Sequence, residues 1–73
     1  MSHTNIGEEI CRLRESKNMT LQELAFKSGI SLPTLYAYEN GKALPKLRLL
    51  YKISVALDCD YDYLVELVNN EKN

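Results

Sequence analysis

The side chains best placed for chemistry in this sequence are cationic. No acidic residue occurs between Glu39 and Asp58, and Lys42, Lys46, Arg48 and Lys52 all fall in that stretch. Basic side chains at such spacing suit phosphate, which they hold by charge and hydrogen bonds without breaking a bond. The plainer alternative is a solvated basic surface. Bond-breaking chemistry is harder to assemble. There is one histidine, His3, near the start, and two isolated cysteines, Cys11 and Cys59. No nucleophile stands beside a base, and the ligand types are too scattered for a metal site. The sequence therefore points to no enzyme, no metal, no cofactor and no small-molecule ligand.

The chain has 73 residues, with 9 basic and 10 acidic side chains and a net charge of −1. That length predicts a single domain over residues 1–73, with a core at about 5–68 and short polar termini. A domain this small buries only about 60% of the surface its unfolded chain exposes, so help from a second copy is expected. With 45% hydrophobic and 26% charged residues, the composition is that of a folded globular chain. No apolar run approaches the roughly 18 residues that span a bilayer, and Met1 to Gly7 lacks the apolar core of a signal peptide. The expectation is a cytoplasmic protein with reduced thiols and no membrane contact. The charge is unevenly spread: residues 1–57 have a net of +3, and residues 58–73 a net of −4.

Helical spacing places these residues. Ile6, Ile10 and Leu13 recur on one face and predict a first helix from about Asn5 to Ser16. Thr20 and Glu23 form a capping-box pattern ahead of a second helix, about Leu21 to Ser28, and Gly29 follows where a left-handed backbone costs least. Ser31 is the expected cap of a third helix, with Pro33 in its first turn and its end near Asn40 and Gly41. Pro45 is expected to open a fourth, with Leu47, Leu50, Ile53, Ala56 and Leu57 on one face. Asp60 is the expected cap of a fifth, whose apolar positions are Tyr61, Leu64, Val65, Leu67 and Val68, ahead of a polar, frayed Asn69 to Asn73. The architecture predicted is all-α, a compact five-helix domain.

Two short helices joined by a tight turn at Gly29 suit a helix-turn-helix. Leu13-Arg14, Leu24-Ala25, Gly29-Ile30-Ser31, Glu39-Asn40-Gly41-Lys42, and Ala56-Leu57 ahead of Asp60 and Leu64 together resemble the Cro and lambda-repressor-like family, also called the XRE family, over about Ile6 to Leu67. The resemblance implies a sequence-specific DNA-binding transcriptional regulator in which helices two and three form the motif. It implies a homodimer on a pseudo-palindromic double-stranded operator, with helix three, about Leu32–Asn40, in the major groove. The alternative is a protein-interaction module of the same fold with weak or lost DNA binding. Where the family often has a phosphate-contacting Gln at the start of helix two, this chain has Leu21.

On that basis Thr20, Ser31, Thr34, Asn40, Lys42, Lys46 and Arg48 are expected to hold the DNA backbone, and Leu32, Pro33, Tyr36 and Ala37 to face the base edges. Arg14 and Glu39 match a family pair that links helix one to the end of helix three, with Arg12 as a solvated comparison. Tyr61, Leu64, Val65 and Val68, spaced at i, i+3, i+4 and i+7, are expected to form the dimer interface with the neighbouring end of helix four.

Overall fold

The computed structural model describes residues 4–72. Asn5 starts α1 (Ile6–Ser16) with a reciprocal cap: its side-chain oxygen accepts the Glu8 amide at 2.8 Å, and the Glu8 carboxylate accepts the Asn5 amide at 3.4 Å. Thr20 and Glu23 start α2 (Leu21–Ser28) in the same way, at 3.0 and 2.7 Å. Each box satisfies two amides that have no partner inside the helix. Gly29 ends α2 at φ 72°, donating its amide to the Ala25 carbonyl at 2.9 Å. A side chain would strain this left-handed turn, which sets the angle between α2 and its successor.

The next helix, α3 (Leu32–Glu39), has Pro33 in its first turn. The cap expected of Ser31 needs correction: its hydroxyl pairs with that of Thr34 at 2.7 Å and makes no bond to a backbone amide. Pro33 brings no amide of its own, so the first turn has one fewer donor to satisfy. The fourth helix, α4 (Leu47–Leu57), begins two positions after the buried Pro45, with Lys46 at its cap. The Asp60 carboxylate accepts the Asp62 amide at 3.0 Å and opens α5 (Tyr61–Lys72). This helix outruns the frayed end expected after Val68. The Glu71 carboxylate accepts the Ile6 amide, so the last turn of α5 closes onto the first turn of α1. His3 and Asn73 lie outside the described residues.

The core is formed by Ile6, Ile10, Leu24, Ile30, Leu35, Tyr38, Leu50, Ile53, Leu57, Leu64 and Val68. Full burial of each aliphatic side chain contributes roughly 1.5 to 3 kcal/mol. α3 packs on α1 and α2, while α4 packs on α2 and α5. Gly7 lets α1 approach the end of α3. A β-carbon there would collide with the Tyr38 carbonyl oxygen and stand 3.1 Å from that of Glu39. Two expectations about faces change. Leu47 is 53% exposed, and the half-buried Leu49 packs on the core in its stead. Leu64 and Val68 are at most 1% exposed within a single chain, so they have no surface to offer a second copy. The dimer face expected of Tyr61, Leu64, Val65 and Val68 thus divides, and only Tyr61 and Val65 stay half-exposed.

One buried charge escaped the sequence reading. Glu9 is 2% exposed, and its carboxylate accepts two hydrogen bonds from Arg12 and one from the Tyr63 hydroxyl at 3.0 Å, which joins α1 to α5. The i, i+3 spacing of Glu9 and Arg12 was the available signal. The Arg12 hydrogen bonds lead in holding the Glu9 carboxyl below its usual value, against burial, and Tyr63 adds to them. A depressed carboxylate contributes stability that is present above its unfolded value, near 4.5, and lost as pH falls through the lower folded value. Wild type should therefore lose melting temperature from about pH 5 downward. Glu9→Gln, which cannot take part in that titration, should show a shallower acid slope. Equal slopes from pH 6 to pH 3 would remove Glu9 as a contributor.

Candidate nucleic-acid interface

The outward side of α3 takes no part in the core cluster. Leu35 and Tyr38 point into the core, and Glu39 is half-buried. By helical geometry Leu32, Tyr36, Pro33 and Ala37 then share the opposite side. Leu32 is 38% and Tyr36 55% exposed, Pro33 is exposed and Ala37 half-buried. This face offers one phenolic hydroxyl, one aromatic ring and several methyl or methylene groups. It has no cation and no carboxylate, so its contact chemistry is apolar with a single hydrogen-bonding tip.

The polar candidates are Thr20, Ser31, Thr34, Asn40, Lys42, Lys46 and Arg48. The hydroxyls of Ser31 and Thr34 are already paired to each other, and the Thr20 oxygen accepts the Glu23 amide. A hydroxyl in such a pairing keeps further bonding capacity for a phosphate oxygen. The Asn40 side-chain amide donates to the Tyr36 carbonyl at 2.8 Å, ending α3, and leaves its own oxygen free of that bond. Lys42, Lys46 and Arg48 are exposed, and among the described residues none stands within ion-pair distance of a carboxylate. The loop between α3 and α4, which carries Lys42 and ends at Lys46, is anchored at its start, where Gly41 and Lys42 donate their amides to the Tyr38 and Ala37 carbonyls at 3.2 and 2.8 Å, and Arg48 follows in the first turn of α4. Leu21, where a polar phosphate contact was missing, is half-buried and packs on the core.

Behind the face, Arg14 fixes the end of α3. Its Nε and Nη2 donate to the two Glu39 oxygens at 2.7 and 3.1 Å, and Nη1 donates to the Met19 carbonyl at 2.7 Å. The side chains are 13% and 7% exposed. One guanidinium thus ties α1 to the turn before α2 and to the last residue of α3. Cys11 lies beside it, 3.6 Å from Nη2. Burial pushes both the Cys11 and the Cys59 thiol up from the ordinary value, which keeps them protonated and poorly nucleophilic. No helix among the described residues is long and apolar enough to cross a membrane.

A family model described as helix-turn-helix matches residues 12–64. The uncharacterized HTH-type transcriptional regulator YqaE of Bacillus subtilis is 40% identical over 66 residues, covering 90% of this chain and 57% of that protein. The cryptic phage CTXphi transcriptional repressor RstR of Vibrio cholerae is 37% identical over 59 residues, covering 81% and 53%. Among solved structures, the master regulator for biofilm formation SinR, in complex with DNA, superposes with a TM-score of 0.78 at 33% identity, over 82% of this chain and 97% of that one. The chain spans about half the length of most of the curated relatives it matches.

Proposed function

The chain belongs to the helix-turn-helix family, and from that premise we propose that it is a sequence-specific DNA-binding transcriptional regulator acting in the cytoplasm. In this reading α3 enters the major groove, and two chains bind a twofold operator with their α3 helices about 34 Å apart, one turn of DNA. The relatives named above are regulators or repressors, not enzymes, and no catalytic role is proposed. The observation that supports the reading most is the outward apolar face of α3, together with three exposed cations in the segment that follows it that have no carboxylate within ion-pair distance among the described residues.

The two kinds of surface divide the work. Lys42, Lys46 and Arg48, helped by Thr20, Ser31, Thr34 and Asn40, hold phosphates and set register. Leu32, Pro33, Tyr36 and Ala37 meet base edges. Their methyl and ring surfaces favour thymine methyls, so A·T-containing half-sites are preferred, and DNA shape supplies discrimination that a sparse hydrogen-bonding face cannot.

A binding selection from random duplexes tests this. Wild type should enrich a half-site, and Tyr36→Ala should flatten that preference by the roughly 1 to 3 kcal/mol of one base contact, with little change in nonspecific binding. Lys46→Ala and Arg48→Ala should weaken all sequences alike and each reduce the salt slope by about 1. Failure of wild type to enrich any sequence would favour a protein-interaction module. An unchanged motif in Tyr36→Ala would take that residue off the reading surface.

A further inference from the structure

A helix that ends on a left-handed residue can be left in two ways. In the Schellman form the amide just beyond that residue turns back to a carbonyl of the last helical turn, whereas in the αL form only the amide of the left-handed residue does so and the chain departs along another line. α2 ends in the αL form, since Gly29 at φ 72° donates to the Ala25 carbonyl at 2.9 Å and the Ile30 amide does not. Ile30 is 5% exposed, so little water reaches that amide. Among the described residues its one partner is the Ser28 hydroxyl, which accepts it at 3.2 Å, and Ser28 is itself 8% exposed.

We infer that Ser28 is a positioning residue for DNA recognition, whose hydroxyl selects the way the chain leaves α2 and thereby aims α3. The inference rests on the DNA-binding reading above. A buried amide without an acceptor is costly. Once the hydroxyl is gone, the Ile30 amide regains a partner most directly by turning back to the Ala25 carbonyl, which is the other way out of the helix. Only Gly29, Ile30 and Ser31 separate α2 from α3, so a rotation at Ile30 passes straight into α3. The start of α3 offers no restraint of its own, because the Ser31 hydroxyl pairs with that of Thr34 and makes no bond to a backbone amide. The far end is held against α1 by Arg14 and by the close approach at Gly7. The Ser28 hydroxyl supplies the matching restraint at the near end.

The consequence for binding is selective. A set of contacting groups must be held within about 0.5 Å and roughly 10 to 20° of its productive geometry. Tyr36 and its neighbours on a rigid helix face meet base edges within that tolerance or miss them. The long, flexible side chains of Lys42, Lys46 and Arg48 can follow a small rotation and still reach phosphate. Loss of the hydroxyl should therefore lower affinity for the preferred sequence and spare affinity for any other. Ser54 gives the contrast. It is 3% exposed on α4, and its hydroxyl donates to the Tyr51 carbonyl at 2.7 Å, so its removal leaves no amide without an acceptor.

Wild type, Ser28→Ala, Ser28→Thr and Ser54→Ala test this, with circular dichroism to verify that each is folded. Two readouts are taken: the ratio of affinities for the duplex that wild type enriches and for a scrambled duplex, and amide exchange at Ile30. Ser28→Ala should lower the ratio by about fivefold or more, with scrambled binding unchanged, and speed exchange at Ile30 by about tenfold. Ser28→Thr, which keeps the hydroxyl, should recover both, and Ser54→Ala should change neither. A folded Ser28→Ala that exchanges faster at Ile30 yet keeps the wild-type ratio would overturn the inference and leave the DNA reading standing. An equal loss of ratio in Ser54→Ala would also overturn it, since general destabilisation would then account for both. A wild type that binds the two duplexes alike would overturn the DNA reading, and the inference with it.

Discussion

Arg14→Ala should lower the melting temperature by more than about 12 °C. The guanidinium makes two bonds to Glu39 and one to the Met19 carbonyl, and little of either side chain reaches water. Removing it strands a carboxylate and a carbonyl in a place that solvent enters poorly. Breaking one partner of such a pair costs roughly 3 to 5 kcal/mol, a large share of the roughly 5 to 15 kcal/mol that stabilises an ordinary domain. Arg14→Lys keeps the charge but not the planar fork, so it should fall between wild type and Arg14→Ala. Arg12 is no neutral comparison, because it is bonded to the buried Glu9. Lys27→Ala, on an exposed side chain, is the suitable one. Thermal melts in which Arg14→Ala and Lys27→Ala shift by the same small amount would show that the pair contributes nothing.

Gly7→Ala should also destabilise, against the ordinary helix rule. Alanine in an exposed helix interior gains about 1 kcal/mol over glycine. At Gly7 the added methyl meets the Tyr38 and Glu39 carbonyl oxygens, which are backbone atoms at the end of α3 and cannot rotate aside. α1 and α3 must separate, and overpacking of this kind costs roughly 1 to 3 kcal/mol, enough to lower the melting temperature by several degrees or more. Since Glu39 ends the helix proposed to read DNA, specific binding should weaken with it. A raised melting temperature for Gly7→Ala would mean that the two helices are not in close contact.

The helix ends are legible in the sequence because their signals are local. Thr20 with Glu23, Gly29 and Asp60 act within three or four residues, and each acts in the structure where the pattern places it. The helix-turn-helix arrangement and the outward position of Tyr36 follow from periodicity read together with those ends. What covers a face is less legible. Leu47 and Leu49 are equivalent in hydropathy, and only the packing of α4 on α2 and α5 decides that the second is the one turned inward. The apolar spacing of Leu64 and Val68 is equally satisfied by a partner chain or by their own core. Gly7 gives no sign of its role, since the atoms it makes room for are more than thirty positions away. Glu9 reads as a surface charge until Tyr63, from the other end of the chain, is placed over it.

The bond between Glu71 and the Ile6 amide differs from the caps in the length of chain it encloses, 65 positions against three. By polymer statistics, closing the longer loop from an unfolded chain costs roughly 3 kcal/mol more entropy. The caps can therefore form while the chain is still searching, whereas this seam closes only after the core has brought its two sides together. In the folded protein the order reverses. The seam is expected to open first, uncovering Ile6 and Val68 while α2 and α3 stay in place. Amide exchange at Ile6 should follow this local opening, running ahead of exchange in α2, and α3 should keep its shape while the seam opens.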